Sequence, residues 1–172
     1  MFVRPLNFVL SFRQHMTLTT HAAIGAAIGT LVGDPLLGFI LGGISHFLVD
    51  MIPHGDNEMA DRFHVHKKKK LPVAFMTTDA ALSILLVMAL MALRPDNAPN
   101  TAFAASVMGS VLPDFMVGMA DLFKKNSVLR AYRKFHFFFH DFFSRPYGDV
   151  RLRYALVAQA IFITVLVKFI IL

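Results

Sequence analysis

The sequence predicts an all-α fold: an integral membrane helical bundle of about five transmembrane helices, plus one interfacial amphipathic helix. Three observations carry this reading. The 172 residues are 56% hydrophobic and 16% charged, whereas soluble domains carry about 25% charged residues. Apolar stretches at 18–32, 35–52, 72–93, 101–123 and 154–172 approach the ~20 residues that cross a hydrocarbon core. When those stretches are threaded alternately through a bilayer, nearly all the cations fall on one side.

Residues 1–15 read as an N-terminal lead-in, and 16–172 as a single membrane-embedded domain. Pro5 and Asn7 interrupt the apolar run of the lead-in and no small-x-small cleavage site follows, so it resembles an interfacial segment more than a signal peptide. The first apolar stretch holds small residues at 22, 23, 25, 26, 27 and 29, a face suited to close helix packing. Gly33-Asp34-Pro35 is a tight turn that places proline at the first position of the second helix, so the two form an antiparallel hairpin. A polar loop, 53–71, ends in Lys67 to Lys70. The third stretch follows, and the turn Arg94 to Asn100 joins it to the fourth. Segment 124–153 is basic and aromatic, with an amphipathic helix expected around 127–143. The fifth stretch closes the chain.

Five alternating crossings put the N-terminus, loop 53–71 and segment 124–153 on one side. Of the 17 lysines and arginines, only Arg94 and Lys168 then belong to the other side. The positive-inside rule makes the cation-rich side cytoplasmic. The net charge of +6 is thereby explained by topology. Membrane lipids are expected as partners and nucleic acid is not. The chain has no cysteine, so a metal would be held by His, Asp or Glu. Those donors suit a divalent ion: zinc foremost, with manganese, iron or magnesium as alternatives. No P-loop, G-x-S-x-G or G-x-G-x-x-G motif is present.

An ionisable residue at the centre of a spanning helix costs about 2.5–3.5 kcal/mol, which makes each one a functional candidate. The apolar stretches contain His21, His46, Asp50, Asp79, Asp114 and Asp121. All of them lie toward the cytoplasmic end, as do His136 and His140 in the amphipathic segment. His46 and Asp50 are four residues apart and share a helix face, and His136 and His140 repeat the spacing. Pro113 kinks the fourth helix beside Asp114 and frees backbone carbonyls there. The expected metal ligands are His21, His46, Asp50, Asp114, His136 and His140. Asp79 is expected to accept a proton from water or to orient a ligand, and His54, in the loop P-H-G-D with Asp56, to act at the mouth of the site. Blander roles exist for several. His21 can belong to a helix start, His46–Asp50 to a packing pair, Asp79 to a hydrogen bond beside Thr77 and Thr78, and Asp121 to a surface ion pair. His64 and His66 adjoin the lysine run and read as solvated.

A leading His, an S-H-x-x-x-D helix, an L-P-D element and a paired His together resemble the bacterial inner-membrane metal-dependent hydrolases, a family with LexA-binding, inner membrane-associated members. The resemblance covers about 17–145. It places the leading His on His21, the S-H-x-x-x-D element on Ser45, His46 and Asp50, the L-P-D element on Leu112, Pro113 and Asp114, and the paired His on His136 and His140. Here the S-H-x-x-x-D element precedes L-P-D where the family has it after, and Phe115-Met116-Val117 stand where the family has a second Asp and a His. The family implies a membrane-bound metallohydrolase of the bacterial inner membrane, acting on ester, phosphoester or lipid-linked substrates. A cation transporter or channel would instead spread polar residues across the bilayer. A non-catalytic scaffold would pair its His and Asp residues two by two.

Overall fold

A computed structural model describes residues 17–55, 70–93 and 101–172; the lead-in 1–15, Asp56, His64, His66, Lys67 to Lys69 and the 94–100 turn lie outside the described residues. Within them the chain is all-helical: α1 (Leu18–Leu31), α2 (Pro35–Asp50), α3 (Lys70–Leu93), α4 (Thr101–Leu122), α5 (Ser127–His140), the short α6 (Ser144–Tyr147) and α7 (Leu152–Ile171).

α1 is the hub. It packs on α2, α3, α4 and α7, and it is buried without a break from Thr20 to Ala27. Only a helix built of alanine and glycine can be enclosed on so many sides, because small side chains let neighbouring backbones approach. Ala22, Ala26 and Ala27 join Leu90 of α3, Phe103 and Val107 of α4 and Ile170 of α7 in the apolar core.

The first turn of α1 is held by other helices instead of by its own cap. Asp79 of α3 accepts from the Leu18 N–H at 2.6 Å, the Thr19 N–H at 3.2 Å and the Thr19 hydroxyl at 2.6 Å. Gln159 of α7 accepts from the Thr17 N–H at 3.1 Å and the Thr20 hydroxyl at 3.0 Å. Orphan N–H groups at a helix start need such acceptors. The arrangement fixes the N-terminal end of α1, one turn of which carries His21.

α2 starts as its sequence foretells: Pro35 is in the first turn and the Asp34 carboxylate accepts from the Leu37 N–H at 2.7 Å. Its buried residues are Gly38, Gly42, His46 and Asp50, one every four positions. That single stripe lies against α4. A Cβ at Gly42 would run into the Ser106 carbonyl oxygen, and one at Gly25 of α1 would sit 2.8 Å from the same atom. Two helices thus press their glycines onto one turn of α4. One further turn along, each carries a candidate ligand: His21 four residues before Gly25, His46 four after Gly42, and Asp114 four after Ser110.

The sequence predicts five spans; among the described residues three helices are long and apolar enough to cross a membrane, α3, α4 and α7, with 24, 22 and 20 residues. α1 and α2 have 14 and 16 residues, or about 21 and 24 Å at 1.5 Å per residue, short of the about 30 Å hydrocarbon core. The Gly-Asp-Pro turn cuts the apolar sequence before either reaches spanning length. The α1–α2 hairpin starts and returns at the same end of the bundle, since His21 near its beginning meets Asp50 at its finish. Removing α1 and α2 as a pair of crossings leaves segment 124–151 at the end where α1 begins. The amphipathic segment appears as α5, shorter than expected at its C-terminal side. Asn126 caps it by accepting from the Val128 and Leu129 N–H groups, and it buries His136, Phe137 and His140 against α2 and α4.

Candidate metal centre

At the end of the bundle where α1 begins and α2 finishes, imidazoles and carboxylates from four helices and one loop converge on Asp50. Its side chain is 1% exposed, and neither carboxylate oxygen has a hydrogen-bond partner among the described residues. The two oxygens face different neighbours. Oδ2 lies 3.3 Å from His136 Nε2 and 3.8 Å from His46 Nε2. Oδ1 lies 3.5 Å from His21 Nε2 and 3.9 Å from His54 Nε2. Asp114 Oδ1 completes the first set, 3.7 Å from His46 Nε2 and 3.8 Å from His136 Nε2.

Each arm is positioned by local sequence. His46 sits on the glycine stripe of α2, and its Nδ1–H donates to the Ser110 carbonyl of α4 at 2.8 Å. A carbonyl can only accept, so in neutral His46 the Nε2 facing the carboxylates carries a lone pair, not a proton. His46 Nε2 is buried without a hydrogen bond, as are both nitrogens of His21, whose ring stacks on His46 at 4.1 Å. Pro53 prevents α2 from continuing, yet the turn after Asp50 brings His54 back to it. There the His54 Nδ1–H donates to the Ile52 carbonyl. Gly55 holds that turn with φ +91°, a backbone region that favours glycine, and its N–H donates to Asp149 at 2.8 Å. His136 and His140 project from one face of α5. His140 Nδ1–H donates to Asp141 at 3.0 Å, and Asp141 is held in turn by Arg145 at 3.1 Å. Tyr132, one turn before His136, donates its hydroxyl to the Pro113 carbonyl at 3.2 Å. Burial, and then the charges of Asp114 and Asp50, hold the Tyr132 phenol above its ordinary range, so it stays a donor.

Lone pairs aimed at carboxylates repel each other, and a buried carboxylate without a donor costs several kcal/mol. A cation between them removes both problems. The spacing fits one: a metal about 2.1 Å from its ligands holds tetrahedral ligand atoms about 3.4 Å apart, and the contacts here run from 3.3 to 3.9 Å. Two groups can hold a metal ion, His46–Asp50–Asp114–His136 and Asp50–His54–His140, each with its ligand atoms within 4.8 Å of one another.

Of the expected ligands, His46, Asp50, Asp114, His136 and His140 meet in these groups, joined by His54. His21 touches Asp50 from outside either group. Asp79 is not brought to the cluster: its carboxylate is taken by the first turn of α1. Asp121 forms a 3.0 Å ion pair with Arg133, the blander of the roles open to it. Sequence reasoning missed Gln159, Asp141 and the Ser110 carbonyl. Gln159 was visible as a lone amide in an apolar run and Asp141 as an acid beside His140, whereas a backbone carbonyl leaves no mark in a sequence. No family model matches the chain, and no curated protein or solved structure matches it.

Proposed function

We propose that the chain is a membrane-bound metal-dependent hydrolase that cleaves an ester or phosphoester, with lipid-linked substrates in reach of its site. The observation that carries the reading is Asp50, buried, with no well-formed hydrogen bond among the described residues and encircled by imidazole nitrogens at 3.3–3.9 Å. His46, Asp50, Asp114 and His136 would hold a divalent ion. Zinc suits a mixed His and Asp set, and manganese, iron or magnesium are alternatives. Such an ion supplies Lewis acidity and lowers the pKa of a water toward neutrality.

The residues supply the rest. The Ser110 carbonyl fixes the His46 tautomer and ring. Asp114, at 11% exposed, is the least enclosed of the four ligands and marks the side from which water and substrate arrive. Asp114 would coordinate through Oδ1, and its other oxygen could take up a proton at that mouth. The convergence on one point favours a centre over pairwise packing contacts. The alanine and phenylalanine core beyond it favours a closed site over a conducting path.

The orientation follows from charge. Lys124, Lys125, Arg130, Lys134, Arg151 and Arg153 flank the cluster end of α4, α5 and α7. By the positive-inside rule this end faces the cytoplasm of a bacterial inner membrane. The resemblance to inner-membrane metallohydrolases points the same way. The test is elemental analysis of the detergent-purified protein, paired with hydrolysis of chromogenic phosphomono- and diesters. The wild type should hold divalent metal and turn over a substrate, and a folded His46→Ala/Asp50→Ala variant should do neither. A metal-free wild type after reconstitution refutes the proposal.

A further inference from the structure

The second oxygen of Asp50 remains to be explained. Coordination by His46, Asp50, Asp114 and His136 occupies Oδ2. Oδ1 would remain buried with no well-formed hydrogen bond among the described residues, 3.5 Å from Nε2 of His21, which lies outside either ligand group. On this side His54 Nε2 approaches at 3.9 Å, and His140 belongs to the same group of mutually close ligand atoms.

The tautomers of this second group are set from outside. His54 Nδ1–H donates to the Ile52 carbonyl and His140 Nδ1–H to Asp141. In the neutral rings, Nε2 is therefore the ligand atom of each. The His140–Asp141–Arg145 chain is the carboxylate–histidine arrangement that orients metal ligands and raises their basicity. Asp141 is 2% exposed and Arg145 is an exposed residue, so the chain links the buried ring to the surface.

We infer that Asp50 bridges two divalent cations, one held by His46, Asp114 and His136 through Oδ2, the other by His54 and His140 through Oδ1. A bridging carboxylate fits paired ions about 3.5–4 Å apart, the separation at which two metals clamp the attacking and leaving oxygens of an in-line displacement. Joined to the hydrolase reading, on which this step rests, the pair suits phosphoesters, whose attacking and leaving oxygens two ions can clamp, as the substrate class. His54 is then a ligand, not a base.

The experiment loads the full chain in detergent with Mn²⁺ alone, and reads stoichiometry by elemental analysis and the spin state by electron paramagnetic resonance. The wild type should hold two equivalents with a spin-coupled signal. His54→Ala/His140→Ala and His46→Ala/His136→Ala should each hold one, with the signal of an isolated ion. Asp141→Asn keeps every ligand and should weaken the second ion alone by about 10–100-fold, which preserves the test if a double variant fails to fold. One equivalent in the wild type, lost in His46→Ala/His136→Ala, overturns the bridge and leaves the single-metal hydrolase standing. Two equivalents retained in His54→Ala/His140→Ala also overturn it. No metal in the folded wild type overturns both.

Discussion

Gly42→Ala tests whether the glycine seam sets the geometry of the candidate metal centre. The added Cβ would collide with the Ser106 carbonyl oxygen of α4 and lie 3.1 Å from both the Ser106 carbonyl carbon and the Ser110 nitrogen. These are backbone atoms of a buried helix and cannot rotate away, so α2 must retreat by about 1 Å, an overpacking that costs about 1–3 kcal/mol. His46 and Asp50 ride on α2, whereas Asp114 stays with α4. The His46 Nε2–Asp114 Oδ1 separation of 3.7 Å becomes about 4.7 Å. Two ligands about 2.1 Å from one ion can be at most about 4.2 Å apart, even on opposite sides of it. The pair then closes on a single ion only by further distortion, and affinity should fall by about 10–100-fold, as when the shell around a metal is disturbed. Gly43→Ala is the control, because its Cβ would meet only the Gly109 oxygen at 3.7 Å, an ordinary contact. The assay is competitive metal titration with a chromophoric chelator, together with thermal unfolding in detergent. Wild-type affinity and stability in Gly42→Ala, or equal damage from Gly43→Ala, would refute the reasoning.

Asp79→Ala removes the acceptor for two N–H groups and one hydroxyl at the start of α1. It should lower the unfolding temperature through a loss of about 1 kcal/mol, while metal content at saturation stays at the wild-type value. A variant that loses metal but not stability would return Asp79 to the site. The Tyr132 phenol is raised in the folded state by burial and the nearby carboxylates. The folded chain therefore binds this proton more tightly than the unfolded one, whose phenol ionises near pH 10. The resulting stability is complete below pH ~10 and is lost as pH rises beyond it. An alkaline absorbance titration should show one phenol that ionises only on unfolding, a component absent in Tyr132→Phe. Bound metal should be released as pH falls, because protons compete with the ion for its imidazole and carboxylate ligands. Dialysis down a pH series with elemental analysis checks it, and metal content independent of pH would argue against ligation by these side chains.

Much of the site was legible in the linear chain, because helical periodicity is a property of local sequence. Spacings of four placed His46 with Asp50 and His136 with His140 on common faces, and the expense of ionisable groups in apolar runs singled out Asp114 and His21. The small residues of α1 announced close packing. The Gly33-Asp34-Pro35 turn marked the start of α2, and the basic, aromatic character around 127–143 marked α5, which ends earlier, at His140. Local sequence also overcounted the spans: apolar composition reports affinity for lipid, but whether a helix crosses depends on its length between caps, and α1 and α2 stop at 14 and 16 residues.

What only the tertiary structure decided is partnership. Asp79 and Asp50 look alike in sequence, each an acid in an apolar helix. Three-dimensional packing gives Asp79 two N–H groups and a hydroxyl as donors and gives Asp50 none. His54 lies beyond a helix-ending proline, and its return to Asp50 depends on a glycine turn held by Asp149 from the far end of the chain. The division of Asp50's two oxygens between two sets of imidazoles belongs to neither α2 nor α5 alone. Sequence sets which side chains share a face of one helix, but the faces that meet are set by how closely backbones can approach, and here that is decided where Gly25 and Gly42 press against the Ser106 turn.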